Sequence, residues 1–186
     1  MLRLEEALER VLSAVRLMPE EQVPLSEAHG RILAVDVTSQ VAIPPWDNSA
    51  MDGFAVCASD LATAPVQLTV LETIAAGAVG TQRVEPGSCS RIMTGAPMPA
   101  GADAVVMVEQ TAMVESERVE IHATARSGQN VRYQGNDVPL GRVVLKAGRR
   151  LDPPAVGLLS SVGLAEVAVR KRPGVAILST GDEVIP

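Results

Sequence analysis

Aromatic residues are almost missing from this chain: one Trp, one Tyr and one Phe among 186 positions. Hydrophobic residues still make up 47% of it, so the core must be built from Val, Leu, Ile, Ala and Met. Cysteine is scarce too. Cys57 and Cys89 offer neither a disulfide framework nor a CxxC pair, which points to a reducing compartment. Both fall in predicted strands and read as small core residues. Histidine occurs twice, at His29 and His122, far apart in sequence, whereas a zinc site gathers several ligands. Acidic residues outnumber basic ones 22 to 16, and the net charge of −6 is the wrong sign for general nucleic-acid binding. No apolar run is long enough to span a membrane. Glu5, Glu6 and Glu9 among the first leucines exclude a signal-peptide core. The Walker phosphate loop, GxGxxG, GxSxG and HExxH are all absent. A cytoplasmic protein without nucleic-acid or membrane partners is expected, large enough to bury roughly 70% of its unfolded surface.

What is present begins with a helix over residues 3–16, where Leu4, Leu8, Val11, Leu12 and Val15 share one face and Pro19 is the expected stop. Its stripe reads as a docking face, because the opposite face is acidic. A short strand, a helical turn near Ser26 to His29 ended by Gly30, and a strand through Ile32 to Val41 follow. The next stretch, 43–56, is the one the chain is organised around. Pro44 and Pro45 predict extended backbone before Trp46. Asp47, Asn48 and Ser49 are turn formers, and Asp52-Gly53 is a second turn before the strand Phe54–Val56. From there to about Val144, extended runs alternate with Gly and Pro. Strands are expected at 66–70, 88–93, 104–110, 118–122, 131–134 and 142–146, a spacing that indicates an all-β unit and not βαβ. Helix returns at 153–162, with Asp152 as N-cap, Pro153 at the first position and Gly163 as stop. Glu166 to Arg170 is a strand, and Lys171-Arg172-Pro173 a boundary. An apolar strand from Gly174 then runs into Ser179-Thr-Gly-Asp-Glu183, as at the opening of a parallel α/β domain.

Four polar loops could carry chemistry. The first holds Asp47 and Asp52, the second is Arg91 to Asp103 around Thr94-Gly95, the third is Arg126 to Asp137 with Arg132, and the fourth is Ser179 to Glu183. Each has a plainer reading. Loop aspartates commonly cap turns, a Pro/Gly loop is an ordinary turn, and Thr180 with Glu183 is a helix capping box. Carboxylates do not bind anions directly. Acting on an anionic reactant, they would need a divalent cation between, most naturally Mg²⁺.

Together these segments resemble the molybdopterin molybdenumtransferase family, the MoeA proteins and the gephyrin E domain. The similarity lies in Pro45-Trp-Asp-Asn-Ser-Ala-Met-Asp-Gly-Phe-Ala-Val56, Arg91-Ile-Met-Thr-Gly-Ala-Pro-Met-Pro-Ala-Gly-Ala-Asp-Ala-Val-Val106, Gly128-Gln-Asn-Val-Arg132, Gly135-Asn-Asp-Val138 and Ser179-Thr-Gly-Asp-Glu183. The resemblance implies a mainly β fold with a few helices and coiled β-sheets, like the N-terminal region of these proteins, plus the first strand of a truncated α/β domain. It implies four parts. Residues 1–19 form a helix that packs on an absent molybdopterin-binding domain, and 20–40 with 141–172 form a linking, dimer-forming domain. Residues 41–140 are an inserted β-rich domain, and 173–186 begin the α/β domain. It implies insertion of molybdate into adenylylated molybdopterin with release of AMP, assisted by Mg²⁺, in a homodimer. The molybdopterin adenylyltransferase is a further partner to consider. Asp52, Asp137 and Glu183 fall on the family's catalytic and metal-binding acids. Thr94, Arg132, Ser179 and Thr180 fall on its anion- and substrate-binding groups, with Asp47 left as a turn residue. This portion alone is expected to be inactive. The alternative is a dimeric scaffold of the same family that has lost its chemistry.

Overall fold

A computed structural model describes residues 3–178. The chain first forms helix α1 (Leu4–Ala14) and strands β1 (Glu20–Pro24) and β2 (Val37–Thr38). Then come β3 (Asn48–Ser49), β4 (Gly53–Val56), β5 (Val66–Ile74), β6 (Ser88–Ile92), β7 (Ala104–Met107), β8 (Thr111–Glu115), β9 (Arg118–Ile121) and β10 (Val131–Arg132). Strand β11 (Val143–Leu145), helix α2 (Pro153–Ser161) and β12 (Glu166–Arg170) complete the described part. The protein is mostly β, in two compact units. One combines the chain up to Thr38 with the chain from Val143 onward; the other is Ser39–Arg142.

In the first unit β1 pairs antiparallel with β12, from Glu20↔Arg170 to Pro24↔Glu166, and β2 pairs with β11. Leu33, Leu145, Leu151, Leu159, Val167 and Val169 form its core. Helix α2 starts where Asp152 Oδ1 accepts the Ala155 N–H at 2.9 Å, which satisfies a donor that the first turn otherwise leaves open. Burial of Arg31 is tolerated because its Nη2 donates to the Glu21 carboxylate and to the Arg170 carbonyl. Three expectations change here. Helix α1 ends at Ala14, five residues before Pro19, because Val15 already has extended backbone. The long strand from Ile32 to Val41 is broken into single bridges, Ile32 to Arg150 and Leu33 to Val169, and the short β2, because its successive residues face different partners. Over 174–178 no strand forms; Val175, Ile177 and Leu178 are exposed, with no pairing partner among the described residues. The face of α1 carrying Leu4, Leu8, Val11 and Leu12 is likewise exposed.

The second unit is a six-stranded sheet in the order β7-β4-β6-β5-β9-β8. All its pairs are antiparallel except β5 with β6. Strand β4 is buried along its whole length, because the sheet has apolar layers on both faces. Phe54 and Val56 join Leu61, Leu68, Cys89, Val106, Val119 and Ile121 on one side. Ala55 points the other way, to Ile74, Ile92, Ala96 and Val105. Phe54 is fully enclosed, a burial worth about 1.5–3 kcal/mol. Gly53, opposite Met107, sits tight against the backbone of β7. A Cβ there would lie 1.9 Å from the Val106 carbonyl oxygen, so the residue is glycine for want of room. Cys89 lies in this core as expected, but Cys57 does not. It follows β4, is partly exposed, and its thiol donates to the Gly101 carbonyl at 3.2 Å.

Candidate functional site

Residues 43–52 form a ribbon that carries two of the other motif segments, one along each edge. On one edge, Ser49 N–H donates to the Ala96 carbonyl at 3.0 Å, Gly95 N–H to the Ser49 carbonyl at 2.8 Å, and Met98 N–H to the Asp47 carbonyl at 3.0 Å. On the other, β3 pairs with β10, Asn48 opposite Arg132 and Ser49 opposite Val131. That pairing continues as Ala50 N–H to the Asn130 carbonyl, 2.9 Å, and ends as Asp137 N–H to the Ile43 carbonyl, 2.9 Å. Residues 44–46 bend where extended backbone was expected, because Ile43 and Pro44 turn their carbonyls toward Gly135, Asp137 and Val138. Ser49 is buried, its hydroxyl bonded to the backbone of Met51, and this fixes the turn that follows. Asn130 takes positive φ, 56°, a conformation that Asn tolerates better than most residues, and its side-chain amide donates to the Val105 carbonyl at 2.9 Å.

Asp52 lies at the far end of the ribbon, exposed to solvent. Its Oδ1 accepts both the backbone N–H of Thr94, at 2.7 Å, and the Thr94 hydroxyl, at 2.8 Å. The Asp52 carbonyl accepts from Val108 N–H at 3.1 Å, which ties the turn to the end of β7. The Thr94 backbone bond and then its hydroxyl outweigh the opposing effect of desolvation and, with a lesser contribution from the nearby Arg91 cation, hold the Asp52 carboxyl below its ordinary range. It is therefore ionised at neutral pH, with Oδ2 free of Thr94's donors. Here Thr94 does a further job beside the anion-binding role expected for it. Its hydroxyl proton is directed to Asp52, so the residue orients a carboxylate.

Asp137 and Arg132 are exposed, on the opposite edge from Thr94. In the antiparallel register Asp137 stands beside Ile43 while Asp52 follows Ala50, so the two acids hang from opposite ends of one ribbon. Among the described residues, no three His, Cys, Asp or Glu side chains gather where they could hold a metal ion. Ser179, Thr180 and Glu183 lie outside the described residues. Asp47 is more than a turn residue. Its Oδ1 accepts the N–H of Gln134 at 2.7 Å, across 87 positions of sequence. Sequence reasoning had no means of finding that contact, since nothing in the spacing of 47 and 134 marks them as neighbours.

Comparison with known proteins adds to this geometry. The family described as MoeA N-terminal region (domain I and II) matches residues 2–163. The chain is 44% identical over 167 residues to molybdopterin molybdenumtransferase 2 of Mycobacterium tuberculosis H37Rv, covering 87% of this chain and 41% of that protein. It is 40% identical over 186 residues to the molybdopterin molybdenumtransferase of Haemophilus influenzae, covering 100% of this chain and 46% of the relative. The crystal structure of the molybdopterin biosynthesis moeA protein from Pyrococcus horikoshii OT3 superposes with a TM-score of 0.87 at 37% identity, over 91% of this chain and 46% of that one. The chain thus spans less than half the length of these relatives.

Proposed function

The chain belongs to the MoeA N-terminal region family, and on that premise we propose that it serves molybdenum cofactor biosynthesis, in the insertion of molybdate into adenylylated molybdopterin with release of AMP. The observation that carries this reading is the meeting of three motif segments, 43–56, 91–106 and 128–138, on one ribbon that ends in an ionised, exposed Asp52.

The acids suit Mg²⁺, which takes hard oxygen ligands and is commonly held by one or two carboxylates together with substrate phosphates and waters. Of the described residues Asp52, whose outward oxygen is free of Thr94's donors, would hold it; Asp137, at the other end of the ribbon, and Glu183 join by resemblance alone. The ion would supply charge neutralisation between carboxylates and anionic reactants. The chain's own groups do the rest. Thr94 aims Asp52 by fixing one oxygen and leaving the other outward. Arg132 presents a guanidinium able to take two oxygens of a phosphate or of molybdate. The reading includes a cytoplasmic homodimer, with the adenylyltransferase that makes the nucleotide-bearing substrate as a further partner.

The test supplies adenylylated molybdopterin, molybdate and Mg²⁺ and follows AMP. The 186-residue chain alone is expected to give no sustained release. A chain of the relatives' full length that begins with this sequence is expected to turn over, and to lose most of that activity in Asp52→Ala. Undiminished insertion by Asp52→Ala overturns the catalytic reading in favour of a scaffold of the same family.

A further inference from the structure

We propose that Asp47 is a positioning residue, the strut that holds the segment carrying Asp137 to the ribbon carrying Asp52. The pairing of β3 with β10 stops at Arg132. Beyond it the chain turns, with Asn136 N–H donating to the Tyr133 carbonyl at 3.1 Å, and it rejoins the ribbon only where Gly135 N–H reaches the Pro44 carbonyl at 2.9 Å. In the gap between, no backbone acceptor of the ribbon serves Gln134. The Asp47 carboxylate takes that place: Oδ1 accepts the Gln134 N–H at 2.7 Å, and Gln134 Nε2 donates back to the Pro45 carbonyl, also at 2.7 Å. On its other side Asp47 is tied through its own carbonyl to Met98 N–H, at 3.0 Å. One residue thus joins the ribbon to both flanking segments, through its backbone on one side and its carboxylate on the other.

A bond from N–H to a carboxylate is roughly twice as strong as one between neutral groups. The other fastenings of 134–138 are the Gln134 side-chain bond to the Pro45 carbonyl and backbone bonds, and no substitution of a ribbon side chain removes any of them directly. Asp47 is therefore the side chain on which the setting of Asp137 depends. The local claim stands on geometry alone; its catalytic consequence rests on the function proposed above.

The experiment measures backbone amide exchange in the 186-residue chain, in wild type, Asp47→Ala and Asp47→Asn. In Asp47→Ala the Gln134 amide should exchange on the order of tenfold faster, as loss of a charge-assisted bond implies. Gly135 and Asp137 should follow to a lesser degree, while Gly95 and Val108 on the opposite edge keep their wild-type rates. Asp47→Asn keeps an acceptor oxygen, so it should restore part of the protection. It also serves if Asp47→Ala does not fold, since its acceleration should be confined to 134–137. Unchanged Gln134 exchange in the folded Ala variant, or acceleration spread evenly over the unit in the Asn variant, overturns the proposal. Mn²⁺ added as a paramagnetic probe separates this question from the metal-assisted reading. Broadening at Asp137 that weakens in Asp47→Ala while persisting at Asp52 supports the positioning role. Equal broadening at Asp137 in both proteins contradicts it, and no broadening at either acid in wild type counts against the metal-assisted reading, leaving the strut to be judged on exchange.

Discussion

Replacing Gly53 by alanine adds one methyl group, yet the structure predicts a large loss of stability in the unit that contains it. The new Cβ would lie 1.9 Å from the Val106 carbonyl oxygen, 2.8 Å from the carbonyl carbon and 3.1 Å from Met107 Cα. All three are backbone atoms of β7, so no side chain can rotate away. Carbon and carbonyl oxygen approach to about 3.3 Å at closest, so β4 and β7 must part by roughly 1.4 Å at this point. Overpacking a tight core costs about 2 kcal/mol. The two ladder bonds that Phe54 and Val106 exchange are strained and add about 1 kcal/mol each. The lower entropy of the unfolded alanine chain returns roughly 0.7 kcal/mol, for a net loss of about 3 kcal/mol. Urea unfolding followed by Trp46 fluorescence reads this unit directly, since the chain's only tryptophan lies within it. The same change at Gly157, on the exposed side of α2 with nothing within 4 Å of a Cβ, is the control. There helix propensity alone operates, and the variant should gain about 0.5–1 kcal/mol in a melt followed by circular dichroism. If Gly53→Ala costs less than about 1 kcal/mol, the steric account of this glycine is wrong.

Other outcomes follow from single residues. Glu72 accepts the N–H groups of Thr81 and Gln82 and the Thr81 hydroxyl, and these bonds, the Gln82 one foremost, hold its carboxyl below its ordinary value of 4.5. A depressed carboxylate stabilises the fold above its unfolded pKa, and that contribution is lost as pH falls through the folded one. Amide protection at Thr81 and Gln82, corrected for intrinsic exchange, should therefore be full near neutrality and decline below pH 4.5; protection that is flat through the acid range would refute the clamp. The two thiols should separate cleanly in alkylation. Burial pushes Cys89 up to about 12, so native protein should show no modification there. Cys57, partly exposed but also raised by desolvation and by the acids Asp60 and Asp103, should react slowly. Peptide mapping that finds Cys89 labelled first would contradict this. Substituting Thr94 by valine removes the hydroxyl bond to Asp52 and leaves the backbone one, so the Asp52 pKa should rise part of the way back to its ordinary 3.8, measurable by carboxyl ¹³C titration.

Where local chemistry decides structure, the sequence was a sufficient guide. Asp152, Pro153 and Gly163 mark the ends of α2, and the alternation of Glu166–Arg170 gives β12 with its observed bounds. The apolar stripe of α1 was equally plain, though what it packs on was not. Long-range partnership is where the reading stopped. Strand β3 is two residues long in a stretch that reads as turn formers, and it forms through its partners β10 and Pro97; the strand expected at 131–134 shrinks to Val131–Arg132, the residues that meet β3. The parallel pairing of β5 with β6 has no local signature either, and β8 is so exposed that it lacks an alternating pattern. The acids of the first loop were found from their surroundings, but their work was not: both were candidates for turn capping, and both instead reach across to other segments. A carboxylate's partner is a fact of topology, and topology is what spacing along one chain conceals.

The two places where the chain crosses between units lie side by side. Ser39 and Arg142 are joined by a backbone bond of 2.9 Å, Gly141 donates back to Ser39 at the same distance, and just outside them Thr38 faces Val143 across β2 and β11. Some hundred residues therefore sprout from what is, in the first unit, the stem of a hairpin. The arrangement makes the β-rich module a removable cassette. Closing the stem with a tight two-residue turn would leave the remaining ladder intact, and the excised piece carries its own apolar layers and could be transplanted onto any other hairpin of matching width.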